Sequence, residues 1–411
     1  MHQVIQVYEH DVLLLNHVYK TIGGQLFRFE KHYFDALLKF NELHGAKYFI
    51  PIYDGVKFKS YVGVLQIDNL IIEVLPKIER VTVQVKWRDV LIQMLQQTEH
   101  LRVEQVGNAF VDKQDIHLLD IYFDWFLSEV EHLQHRGLIK KYYSETKNTL
   151  ALKGKLKFSG HIQRNNVHQE RFYTTHQVYG TDHLLHHIIN IALKVVGKLS
   201  KGTYRYGRCK TVQLYFPEVK DVNLTKKTFE SLSYSRKNES YRRVIEISRL
   251  IILNYAPNVN SGSENMLALM FNMNNLWEQY LLVKIQQASK DWLVTSQVER
   301  KFWKNKIIRP DIILQHKETK QVYIIDSKWK NYSYESISSQ DLRQIYVYSD
   351  YWQATGGMLL YPHHITLDDT NLHAVYNARQ FHAKIGLFSI LDEAGELKED
   401  IGVDVIRSLC G

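Results

Sequence analysis

Apolar residues in the first part of the chain come in short runs broken by turn residues. KYFIPIYDGVKFKSYVGVLQIDNLIIEVLPKI, residues 47–78, contains several β-type runs. VGVLQI and LIIEVLP meet at Asp68-Asn69, a pair suited to a tight hairpin. From about Lys86 the period changes. DVLIQMLQQTEHL, LLDIYFDWFLSEVEHL and TDHLLHHIINIALKVVGKL repeat apolar residues every three or four positions, as helices do. In the last of these, Leu184, Ile188, Ile191, Val195 and Leu199 share one face, and Thr181 or Asp182 is placed to cap its start. A polar break, NVNSGSEN, spans residues 258–265, with Ser261 and Glu264 at the spacing of a capping box. The pattern predicts a helix over MLALMFNMNNLWEQYLLVKIQQA, then apolar strands, then a helix over SSQDLRQIYVYSDYWQ and a strand at MLLYP.

That order predicts an α+β multidomain protein. It has a strand-rich N-terminal domain (1–85), a helical, basic middle region (86–257) and a C-terminal α/β domain (258–411). The chain's 411 residues are 45% hydrophobic, ample for more than one core. Its two cysteines, Cys209 and Cys410, build no disulfide framework or CxxC cluster, which fits a reducing, cytoplasmic compartment. The N-terminal MHQVIQVYEHD lacks the form of a signal peptide, and no apolar run is long enough to span a bilayer. A soluble protein without a membrane partner is expected.

Charge is unevenly spread. The formal net charge is +8, yet Arg136 to Arg249 holds 23 Lys and Arg against 8 Asp and Glu. Such a region is an electrostatic footprint for a polyanion, or equally a solvated helical surface.

Candidate chemistry concentrates in RPDIILQHKETKQVYIIDSKWK, residues 309–330. As two strands around a polar turn, it puts Asp326 and Lys328 on one face, roughly 7 Å apart along the strand. Asp311, at the head of the first strand, pairs back beside Asp326. Two carboxylates and an ammonium at one sheet edge are a minimal kit for metal-assisted phosphodiester hydrolysis. Mg²⁺ takes oxygen ligands and needs only a few carboxylates, and the lysine places the nucleophile or neutralises developing charge. The letters alone are common: six acidic-x-Lys matches occur, and Asp326/Lys328 is the one that follows an uninterrupted apolar strand and has an Asp heading the previous run. An ion pair closing a hairpin has the same letters. Glu278, on the preceding helix, is a candidate third carboxylate. Gln340, Gln344 and Tyr348 stand at i, i+4 and i+8 on the later helix and are candidates to line the same cleft.

Five segments in order, LKGKLKF, MNNLWEQYL, RPDIIL with IIDSKWK, QDLRQIYVYSDYW and GGMLLYPH, resemble the McrC family of McrBC-type, modification-dependent restriction systems. The likeness runs from about residue 150 to the C-terminus, and GVLQIDNLIIEVLPKI resembles the N-terminal region of longer family members. The resemblance implies a PD-(D/E)xK restriction-endonuclease-like domain at the C-terminus. In it Asp311, Asp326 and Glu278 would bind metal, Lys328 would be the catalytic lysine and Gln344 a helix glutamine frequent in such nucleases. It implies a Mg²⁺-dependent endonuclease acting on double-stranded DNA with modified bases of the 5-methylcytosine type. The implied partner is an McrB-like AAA+ GTPase hexamer, which the chain docks on and stimulates. The alternative is a non-catalytic adaptor that activates the AAA+ ring and binds DNA.

No GxxxxGK[ST] loop occurs, so no nucleotide cofactor is expected on this chain; GKLSKG at 197–202 is too short. His183, His186 and His187 have helical ligand spacing but no evident fourth ligand, which speaks against zinc. Pro217-Glu218-Val219-Lys220 imitates the nuclease lettering without an acid heading a prior strand.

Overall fold

Tyr61–Ile67 and Leu70–Leu75 form the expected antiparallel hairpin, with Ile67 opposite Leu70 and Asp68 in the left-handed conformation at φ 47°. A two-residue loop needs positive φ to match the strands' twist, and Asp tolerates it. Gln3–Tyr8 adds to the hairpin in parallel, beside Leu70–Leu75. The computed structural model describes residues 3–76, 78, 87–98, 118–256, 265–331, 338–363, 372–375 and 382–410. The fold is mixed α/β, with several helices and several separate sheets among the described residues.

The chain divides into two units. One is built mainly from residues 119–269, the other from residues 2–104 and 270–411. In the first, Leu118–Arg136, Leu184–Leu199, Tyr204–Tyr215 and Arg242–Leu253 are helices. The middle region is not purely helical, as its apolar period suggests. Lys141–Thr149, Lys155–Leu156 and Phe172–Gly180 make a three-stranded antiparallel sheet. These strands are mostly half-buried or exposed and rich in Tyr, Thr and Lys, so no apolar alternation announces them. The helix at Leu184 begins one residue after His183, not at a Thr181 or Asp182 cap, because the Asp182 carboxylate is taken by His187 and Lys220.

The second unit carries the 309–330 stretch in a six-stranded sheet. Its order is Trp292–Ser296, Ile312–His316, Val322–Ser327, Gly356–His363, His382–Ser389, Leu372–Val375. The first three strands are antiparallel; Val322–Ser327, Gly356–His363 and His382–Ser389 run parallel. Ile313, Ile324, Leu359, Ile385 and Leu387 bury one face against Ile345, Tyr348 and Trp352 of helix Ser339–Trp352. Each such aliphatic side chain contributes about 1.5–3 kcal/mol on burial. Alternation sends Ile312, Ile325, Met358 and Leu360 to the opposite face, where helices Met273–Ala288 and Ile401–Cys410 pack on the sheet and on each other.

MLALMFN does not continue that first helix N-terminally. Met266–Asn272 is a strand, and the helix starts at Met273, where the Asn272 side chain accepts a hydrogen bond from the Asn275 amide. An unbroken apolar run fits a buried strand as well as a helix, and the Asn cap decides the boundary. The capping box at Ser261 and Glu264 lies outside the described residues.

Candidate active site

Ile312 pairs with Ile325 and Ile313 with Ile324 across antiparallel strands. That register puts Asp311, one residue before its strand, level with Asp326 near the end of the neighbouring one. The β-branched run VYII fixes the second strand in the sheet, so Asp326 is carried into the interior, 1% exposed. Asp311 is pinned by the residue after Asp326: its Oδ2 accepts from the Ser327 amide (2.7 Å) and from the Ser327 hydroxyl (3.1 Å).

Lys328 lies on the face of Asp326, as strand alternation requires, with Nζ 2.7 Å from Asp326 Oδ2. Nζ also donates to Gln344 Oε1 (3.3 Å), and Gln344 Nε2 donates to the Tyr348 hydroxyl (2.8 Å). The helix Ser339–Trp352, started by the Ser338 side chain accepting from the Asp341 amide, holds this chain of contacts over the sheet end. Gln340, one turn earlier, is exposed and makes no described contact with it.

Glu278 reaches the same edge from helix Met273–Ala288, where it accepts a hydrogen bond from the Gln297 side chain. Gln297 stands at φ 56° just past strand Trp292–Ser296, and its amide donates to the Asp311 carbonyl (3.3 Å). Two groups that spacing did not single out therefore hold two of the carboxylates: Ser327 holds Asp311 and Gln297 holds Glu278. Ser327 acts partly through its backbone, and Gln297 comes from a turn, so neither carries a periodic signal. Asp341, bonded to Lys330 at 2.6 Å, adds negative charge nearby.

The electrostatics come from burial and crowding. Desolvation and then the Asp311 charge push the Asp326 carboxyl up to about 6. Desolvation, then Asp311, push Glu278 up to about 7. Asp311 is raised by burial, with the Ser327 hydrogen bond opposing. Burial works to lower the Lys328 ammonium, but Asp326 and Asp311 together hold it above its usual value. Three crowded, partly or fully buried carboxylates with an ammonium alongside differ from a surface ion pair.

The donor set suits a hard divalent cation. Asp326 Oδ1 is buried and accepts no hydrogen bond among the described residues, so an acceptor is left for a cation to satisfy. Among the described residues no three His, Cys, Asp or Glu side chains already close into a metal-binding group. The histidine trio is otherwise engaged: His183 bonds the Ile139 carbonyl, His186 bridges the Thr181 carbonyl and the Tyr241 hydroxyl, and His187 bonds Asp182. His183 and His186 are buried. Among the described residues no helix is long and apolar enough to cross a membrane.

A family model described as McrBC 5-methylcytosine restriction system component matches residues 56–362. The Type IV methyl-directed restriction enzyme EcoKMcrBC of Escherichia coli (strain K12) is 23% identical over 273 residues, 60% of this chain and 77% of that protein. The fold is similar to that of a chain in the half-complex from the tetradecameric assembly of Thermococcus gammatolerans McrB AAA+ hexamers with bound McrC. There the TM-score is 0.69 at 18% identity, covering 98% of this chain and 99% of that one. A chain of the Thermococcus gammatolerans McrBC complex gives a TM-score of 0.50 at 20% identity, covering 69% of this chain and 88% of that one.

Proposed function

Because the chain belongs to the McrBC 5-methylcytosine restriction system component family, we propose that it is the DNA-cleaving subunit of such a system. In this reading it is a Mg²⁺-dependent endonuclease with a PD-(D/E)xK-type site, working on modified double-stranded DNA. Its partner is an AAA+ GTPase ring like the McrB hexamers named with the similar structure. The observation that carries the reading is the edge itself. Asp311 and Asp326 stand level on adjacent strands, Lys328 pairs with the second, and a buried Asp326 oxygen lacks a partner.

In this reading Asp311, Asp326 and Glu278 hold the cation, whose bound form supplies Lewis acidity toward a phosphoryl oxygen and a water nucleophile. Ser327 fixes the Asp311 carboxylate in orientation, and Gln297 does the same for Glu278. Lys328 keeps a positive charge beside the reacting phosphate, where negative charge builds up during displacement. Gln344, itself bonded to the Tyr348 hydroxyl, gives that ammonium a second acceptor besides Asp326. Asp326 itself is buried, which strengthens its interaction with Lys328.

Replacing Asp326 with Ala tests the reading. Incubated with the AAA+ partner, GTP, Mg²⁺ and methylated plasmid, the wild-type chain cuts. Asp326→Ala leaves the plasmid intact while nucleotide hydrolysis by the partner is still stimulated. Undiminished cutting by Asp326→Ala removes the site. Stimulation by a wild-type chain that never nicks DNA reduces it to an adaptor.

A further inference from the structure

Between the two strands that meet at the site, the chain makes an excursion. Trp292–Ser296 pairs with Ile312–His316, Ser296 opposite Ile312, and the residues between them leave the sheet as a second hairpin. Its strands are Arg300–Trp303 and Lys306–Ile308, with Lys304 turning at φ 47°. Both ends of the excursion are residues of the candidate site: Gln297, which holds Glu278, and Asp311. The root of the hairpin is therefore at the candidate site, and its tip lies within on the order of 20 Å of it, the reach of six strand residues.

The hairpin's two faces differ. Inward, Arg300 stacks its guanidinium 4.6 Å over the Trp352 ring and donates to the Tyr351 carbonyl, Phe302 meets the Tyr351 ring at 5.5 Å, and Ile308 packs on the core. The Tyr351 hydroxyl donates to the Phe302 carbonyl (3.3 Å). These contacts anchor the hairpin on helix Ser339–Trp352. Outward, the cross-strand pairs Lys301 with Ile307 and Trp303 with Lys306 are presented to solvent. Trp303 is 67% exposed, so its indole face is open to a ligand. Arg300, Lys301, Lys304, Lys306 and Arg309 stand against a single acid, Glu299, which pairs with Arg309 at 3.6 Å.

We propose that this hairpin is the element that grips duplex DNA for cleavage, its outward face (Lys301, Trp303, Lys306, Ile307 and Lys304 at the turn) lying on the sugar-phosphate backbone beside the scissile bond. The proposal rests on the reading of the 311–328 edge as a phosphodiester-cleaving site. Charge complementarity selects a polyanion, since lysines on an anchored ribbon neutralise phosphates without reading bases. Continuity with Asp311 selects the polyanion that is the substrate. A two-stranded ribbon is also slim enough to enter a major groove. Trp303 supplies apolar contact to sugars or base edges.

Binding of the full-length chain to a duplex containing 5-methylcytosine, and to its unmodified twin, is measured by fluorescence anisotropy in Ca²⁺ across a salt series. Lys301, Lys304 and Lys306 changed together to Ala weaken binding to both duplexes alike and flatten the slope of log K against log salt by about three, one per lysine. Lys306→Ala alone flattens it by about one, which keeps the test open if the triple variant misfolds. Trp303→Ala weakens binding without altering the slope. Stimulation of the partner's nucleotide hydrolysis stays at the wild-type level throughout. Unchanged affinity and slope in both lysine variants overturn the proposal. So does lost stimulation with DNA affinity intact, which makes the hairpin a protein contact. Cutting by Asp326→Ala refutes the catalytic edge and leaves the salt slopes to be judged separately.

Discussion

Asp326 is the residue on which the proposed chemistry turns. A carboxylate 1% exposed is costly to hold ionised, and one lysine offsets only part of that cost. Asp326 and Glu278 both have raised proton affinity, so the folded site favours their protonated forms. Their contribution to stability is thus fully present below the ordinary carboxylate range and is lost as pH rises through about 6 and about 7, respectively. Glu278→Gln should therefore leave the metal-free melting temperature nearly unchanged at pH 5. At pH 8 it should raise it by about 2–4 °C, the effect of roughly 1 kcal/mol in a unit of this size. Thermal unfolding at the two pH values checks this. The same groups must be ionised to hold a cation, so Mn²⁺ affinity should rise as pH climbs through about 6 and about 7. A Mn²⁺ affinity that stays constant from about pH 5 to pH 8 would speak against these carboxylates as metal holders. Asp326 and Lys328 were legible in the sequence through strand alternation alone, and Asp311 because it heads an apolar run. Ser327 and Gln297 were not, because a backbone amide and a left-handed turn residue leave no periodic trace.

Elements position these residues through close packing. Helix Ile401–Cys410 lies against the helix that carries Glu278, and a Cβ built at Gly402 would fall 2.2 Å from the Lys284 carbonyl oxygen. Backbone cannot yield as a flexible side chain does, so Gly402→Ala should push the helices apart. The expected cost is about 1–3 kcal/mol, read as a lower melting temperature, and Glu278 should shift with its helix. A melting temperature equal to the wild type's would mean that the contact relaxes freely. The hairpin at Asp68-Asn69, the strands around Asp311 and Asp326 and the helix Ser339–Trp352 were readable from period and caps. The strand at Met266–Asn272 was not, because an apolar run without alternation reads equally as helix until Asn272 caps the helix beyond it. Nor was the hairpin at Arg300–Ile308, whose burial pattern is set by contact with Tyr351 and Trp352, fifty residues downstream.

At the scale of the whole molecule, charge is arranged less simply than a count along the chain suggests. Part of the positive excess between Arg136 and Arg249 is neutralised internally. Arg205 pairs with Asp120 and Asp124, and Arg208 with Asp124 and Glu131, acids that stand just upstream of that window. The exposed cations of the Arg300–Ile308 hairpin, by contrast, stand on an excursion whose two ends, Gln297 and Asp311, belong to the candidate site. A chain that cleaves through residues 278–328 and activates its partner by other surfaces should show the two activities separating under single substitutions. Lys328→Met should lower cleavage by a factor on the order of 10² or more, the usual scale for one electrostatic contact in a transition state, with stimulation of the partner intact. Parallel cleavage and nucleotide-hydrolysis assays distinguish that from general misfolding. Whether the Asp311–Asp326 edge holds a divalent cation can be read from Mn²⁺ binding to the full-length chain. Calorimetric titration at pH 8 should give saturable binding to the wild type, and Asp326→Ala, still folded by circular dichroism, should lose it. Mn²⁺ affinity in Asp326→Ala equal to that of the wild type would contradict the account.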